Sequence, residues 1–85
     1  MHVETTATFI RLYKKLPQEL KQRAKKALEL LESNPSHPSL VHKKMSGQTD
    51  IYEIRVSDNY RITYQKIDDT AVLRKIGTHD LLRNP

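Results

Sequence analysis

Two hydrophobic periods divide the chain, one of about 3.6 residues up to residue 33 and one of two from residue 51 onward. In the first half, Thr5 or Thr6 can cap a helix in which Phe9, Leu12, Tyr13 and Leu16 recur at i, i+3, i+4 and i+7. One face is then apolar, and Arg11, Lys14 and Lys15 point elsewhere. Pro17 ends that helix and fits the first turn of a second, whose apolar face reads Leu20, Ala24, Ala27, Leu28 and Leu31. Together they predict a helical hairpin, preceded by a short strand around His2 to Glu4. The second helix runs out at Ser33-Asn34-Pro35, and residues 36–47, with Pro38 and His42-Lys43-Lys44, read as a basic loop.

In the second half, Tyr52, Ile54 and Val56 alternate onto one face of a strand, and Tyr60, Ile62 and Tyr64 onto one face of the next. If both sets reach the same core, even positions must pair with even ones, with Val56 opposite Tyr60 and a turn at Ser57-Asp58-Asn59. Asn59 suits a left-handed conformation there. The same register sets Arg55 opposite Arg61 on the other face, beside Glu53 and Thr63. Like charges directly opposite across strands cost up to about 1 kcal/mol, so this pair calls for a carboxylate or an anionic ligand nearby. Asp68-Asp69 makes the next turn, Thr70 to Ile76 a last strand ending at Gly77, and a tail follows. Helices before strands, with antiparallel connections, predict an α+β fold in which a helical hairpin packs on a small antiparallel sheet.

Composition narrows the chemistry. A chain of 85 residues provides for one domain, 1–85, and without cysteine it has no disulfide, no thiolate nucleophile and none of the usual zinc-finger ligands. Two glycines, Gly47 and Gly77, leave no dinucleotide fingerprint and no P-loop, so neither cofactor nor metal is expected. Neither a membrane span nor a signal peptide is visible, which leads to the expectation of a cytoplasmic protein. Fifteen Lys and Arg against ten Asp and Glu give a net charge of +5, compatible with a polyanionic partner or with solubility alone.

The positions of the cations are more telling. Arg55 and Arg61 on the exposed sheet face, Lys43 and Lys44 just before the sheet and His79 just after it can converge on one anion. Arginine forks hold phosphate bidentately and histidine titrates near neutrality. Cutting RNA without metal requires a base for the 2′-hydroxyl, cations for the phosphate and an acid for the leaving oxygen. These residue types can fill each role; the bland alternative pairs Arg55 and Arg61 with Glu53 or Asp58.

The run Met45-Ser46-Gly47, Ile51 to Val56, Asn59 to Tyr64 and Ile76-Gly77-Thr78-His79-Asp80-Leu81-Leu82 resembles the RelE/ParE superfamily of type II toxin–antitoxin toxins over nearly the whole chain. The resemblance implies the RelE fold, ribosome-dependent cleavage of mRNA in the A site and neutralisation by a cognate antitoxin. It puts Arg61 on a phosphate-binding arginine, Arg55 on a catalytic basic position and His79 on the histidine of YafQ-like members. Lys43 falls where such a member has another functional histidine, as a base or a phosphate contact. Glu53 stands where RelE has a lysine, and serves either as general base or as a salt-bridge partner of Arg55 or Arg61. Arg83 or Pro85 occupies the region of RelE's late tyrosine, where an Arg83 guanidinium could stack on a base. His42 and Lys44 complete the expected substrate contacts. Two alternatives stay open: a ParE-like inhibitor that binds DNA gyrase, and an inactive member that keeps only antitoxin binding.

Overall fold

Thr6 starts the first helix and ties it down. In the computed structural model, which describes residues 1–47 and 49–85, its Oγ1 accepts the Phe9 N–H at 3.2 Å and donates to the Leu73 carbonyl at 2.8 Å. One hydroxyl thus caps α1 (Ala7–Lys14) and fastens it to the sheet. Pro17 stands just before α2 (Gln18–Ser33), as its cap rather than in its first turn, where a missing N–H breaks no helical bond. The helix ends as expected at Ser33, with the Asn34 N–H donating to the Leu30 carbonyl.

Five strands, β1 (His2–Glu4), β2 (Lys43–Lys44), β3 (Ile51–Arg55), β4 (Arg61–Ile67) and β5 (Thr70–Gly77), lie in the order β1-β5-β4-β3-β2. β2 to β5 are antiparallel neighbours, but β1 runs parallel to β5, with Val3 opposite Ala71. The sheet is therefore mixed where an antiparallel one was expected. The chain leaving β1 passes through both helices and re-enters at the far edge, so β1 can only meet the last strand, and a parallel pair tolerates so long a connection. Residues 36–47 are also more ordered than a basic loop. They hold a 3₁₀ turn (Pro38–Leu40) and then β2, whose Lys43 pairs with Glu53 and Lys44 with Tyr52. Between turn and strand, Val41 adopts φ 44°, a left-handed conformation that its branched side chain resists.

The two helices cover one face of the sheet. Phe9, Ala24, Ala27 and Leu31 from the helices meet Ile54, Ile62, Tyr64, Leu73 and Ile76 from the strands. The predicted hairpin register holds: Arg55 lies opposite Arg61, and the Val56 N–H reaches the Tyr60 carbonyl at 3.0 Å. Asn59, however, is not left-handed; among described non-glycine residues only Val41, Asp50 and Asp68 have positive φ. The turn closes differently, because Arg61 Nη1 donates to the carbonyls of Ser57 (2.5 Å), Tyr60 (3.0 Å) and Asp58 (3.2 Å). A side chain gathers the loop, so no residue has to adopt αL.

Candidate functional site

On the face turned away from the helices, register sets Lys43, Glu53, Thr63 and Lys75 in one row across four strands, and Arg55, Arg61 and Gly77 in the next. Gly77 contributes no side chain beside Arg61, and His79 follows two residues later, exposed at the start of a 3₁₀ turn (His79–Arg83). The alternation thus brings Arg55, Arg61 and Lys43 onto one face, and His79 follows the strand beside Arg61 without a hydrogen bond to either arginine among the described residues.

The first row is half roofed. Thr63 Oγ1 and Arg74 Nε both donate to the Pro85 carbonyl, at 3.2 and 3.0 Å, and Lys75 Nζ donates to the Asn84 carbonyl at 2.7 Å. Thr63 is consequently fully buried. Glu53 is buried as well, with one oxygen 3.9 Å from Lys43 Nζ and the other lacking a hydrogen-bond partner among the described residues. Its cation is therefore Lys43, not either arginine.

The second row is open and its charges are compensated locally. Arg55, with a side chain 41% exposed, is ion-paired to the Asp58 carboxylate, and Arg61 Nη1 is taken by the three loop carbonyls. This is the compensation that two facing cations require. Among the described residues, Arg61 Nε and Nη2 make no hydrogen bond, so one edge of the guanidinium is available to an anion.

Three expected contacts lie elsewhere. Lys44 alternates to the helix-side face of the edge strand and is exposed. Arg83 is exposed and makes no hydrogen bond among the described residues. His42 belongs to an aromatic cluster on the helix side: its Nε2 is hydrogen-bonded to the Tyr64 hydroxyl, its Nδ1 lies 3.0 Å from the Pro35 carbonyl, and Tyr52 and Tyr64 stack at 5.5 Å. Conversely, Lys75 and Arg74 border the site without having been singled out. Ala71, Leu73 and Ile76 break the period of two, the mark of the irregularity between Thr63 and Tyr64 that leaves Arg74 as an extra residue and sets Lys75 beside Thr63.

The cluster has a measurable consequence. Burial, and next the Tyr52 phenol, push the Tyr64 hydroxyl up from its ordinary value of 10.0. Above that pH the unfolded chain loses a proton that the folded chain retains, so stability falls as pH rises, by up to about 1.4 kcal/mol per pH unit. Urea titrations of wild type and Tyr64→Phe between pH 9 and 11 should show a steeper fall in the wild type; parallel curves would remove Tyr64 as the cause.

Among the described residues no group of three or more His, Asp or Glu side chains could hold a metal ion, and no helix is long and apolar enough to cross a membrane. No curated protein matches the chain in sequence. Solved structures do match in fold. RelE in the RelB–RelE antitoxin–toxin complex from Methanococcus jannaschii is 26% identical, with 95% of each chain covered and a TM-score of 0.78. The intact E. coli RelBE toxin–antitoxin complex gives 24% identity, 91% of this chain and 94% of that one, and a TM-score of 0.73. YafQ from E. coli gives 19% identity, 94% of each chain and a TM-score of 0.75. The family model described as ParE toxin of type II toxin–antitoxin system, parDE, matches residues 3–80. Two helices on a five-stranded mixed sheet, with that family's pattern running along almost all of it, make this chain a member of the ParE toxin family, within the RelE/ParE superfamily of type II toxins.

Proposed function

We propose that the chain is a ribosome-dependent endoribonuclease that cuts mRNA in the A site and thereby stops translation. The observation that carries this reading is the facing pair Arg55 and Arg61 on one sheet face, with an exposed His79 two residues beyond the Gly77 that pairs with Arg61. In the cleavage step the RNA 2′-oxygen attacks the adjacent phosphorus and loses its proton to a base, for which Lys43 and Glu53, paired in the neighbouring row of this face, are the candidates. The free edge of the Arg61 guanidinium, with Arg55, holds the phosphate as its charge grows. A protonated His79 imidazole gives its proton to the departing 5′-oxygen, leaving a 2′,3′-cyclic phosphate and a free 5′-hydroxyl. The reaction needs no metal.

The partner in the cell is a cognate antitoxin, as RelB is to RelE in the similar complexes, and a net charge of +5 suits a segment rich in carboxylates. A second reading has its own support: both arginines already have intramolecular partners, Asp58 and the loop carbonyls, and the matching family model is that of ParE. In that reading the toxin binds DNA gyrase and breaks no bond. Primer extension on mRNA carried by translating ribosomes, with the purified chain added, separates the two. Cuts within the A-site codon are expected; growth arrest on expression without any cut assigns the chain to the second reading.

A further inference from the structure

Arg55 also faces a second space. β2 is too short to cover the end of β3, and there the 3₁₀ turn Pro38–Leu40 packs against both α2 and β3. Between them lies a cleft of about 670 Å³. Arg23 and Lys26 of α2 and Arg55 of β3 supply three cations to its walls, Leu30, Leu40 and Val56 supply apolar surface, and among the described residues no acidic side chain lines it. Arg23 and Lys26 stand at i and i+3, so they project from the same side of α2. The ion pair of Arg23 with Glu19 is long, 3.5 Å, and solvent-exposed, so water and salt weaken it; Lys26 has no ion pair among the described residues.

We propose that this cleft is a second phosphate subsite for a single RNA strand. Arg23 and Lys26 hold a phosphate next to the one held at Arg55 and Arg61, and the intervening ribose or base lies against Leu30, Leu40 and Val56. Arg55 borders both spaces and makes them one continuous basic path around the end of β3. Cations flanking an apolar floor are the composition of a site that tracks a single strand without reading its sequence. An acidic peptide would also be drawn to the charge, but the continuity through Arg55 with the phosphate face favours the nucleic acid. The inference rests on the reading that this face takes an RNA phosphate.

The test is fluorescence anisotropy of a short 2′-O-methyl oligoribonucleotide, which cannot be cut, across a salt series. Wild type, Arg23→Ala/Lys26→Ala and the charge-matched control Lys14→Ala/Lys15→Ala are compared, all four positions being exposed. The cleft variant should bind about tenfold or more weakly, and its slope of log affinity against log salt should flatten by about 1.4, as loss of two single-strand phosphate contacts requires. The α1 control should keep nearly wild-type affinity. Equal binding by wild type and cleft variant, an equal loss in both variants, no binding by wild type, or a loss confined to an acidic peptide would each overturn the proposal. Cleavage on ribosomes is scored separately. Wild type that binds as expected but cuts nothing defeats the nuclease reading and leaves the subsite standing. Cutting that proceeds with an unaffected cleft variant does the reverse.

Discussion

Replacing Arg61 by alanine should slow mRNA cleavage on programmed ribosomes by about 10²- to 10³-fold, the usual loss when a preorganised donor to a developing anion is removed. Two separate edges of one guanidinium are lost. Nη1 holds the carbonyls of Ser57, Asp58 and Tyr60, while Nε and Nη2 make no hydrogen bond among the described residues. The first loss is structural and should cost about 1 to 2 kcal/mol, because the loop is partly exposed and water can replace the donor. The second is chemical. Arg61→Lys tells them apart, since an ammonium preserves the charge but not the planar fork that matches a phosphate. Single-turnover cleavage well below the melting temperature, measured beside thermal unfolding, should leave the lysine variant severely slowed. If Arg61→Ala melts early yet cuts at the wild-type rate, Arg61 serves the hairpin alone and the phosphate assignment falls.

Leu31→Ala should be the most damaging single truncation on α2. The helix approaches the sheet through small residues, Ala24 and Ala27, both buried, and Leu31 is the one large side chain it buries completely. Removing its branched end leaves a cavity between α2 and the sheet that the small neighbours cannot fill. A cost of about 3 kcal/mol is expected. For a domain of this size that corresponds to a drop in melting temperature of roughly 12 to 24 °C, a large part of the stability such domains possess. Leu30→Ala, one residue away but only partly buried, should cost clearly less. Urea titrations of the two variants check the order; a loss below about 1 kcal/mol for Leu31→Ala would mean that the helix relaxes onto the sheet instead of leaving a void.

The register of the β3–β4 hairpin was readable because two alternating apolar sets had to reach one core, which left a single parity. From that parity came the facing arginines and the burial of Tyr64. Where the determining contact is made by a polar side chain or a distant segment, hydrophobic alternation carries no sign of it. Nothing near Asn59 indicated that the guanidinium of Arg61 would gather the loop carbonyls. β1 is three residues long and its partner lies at the other end of the chain, so its parallel pairing had no local trace. His42 and Lys43 look like one basic patch in a line of text, yet strand alternation sends Lys43 to Glu53 and leaves His42 with Tyr64. The Ala71, Leu73, Ile76 spacing could have revealed the extra residue at Arg74, and with it the position of Lys75.

The pairing of β1 with β5 also sets the order in which the chain can be completed. Ribosomes release roughly 5 to 20 residues per second, and domains fold as their parts emerge. The helical hairpin can form early from local contacts, but His2 to Glu4 have no strand to join until Thr70 to Val72 have been made. Closing so distant a contact is slow, since nearly the whole chain is the loop that must be closed. A nascent copy therefore carries an unfinished sheet until Thr70 to Val72 have emerged. The facing arginines can pair as soon as β3 and β4 have emerged, but the flank of the sheet beside Arg61 is completed only when β5 sets Gly77 against it.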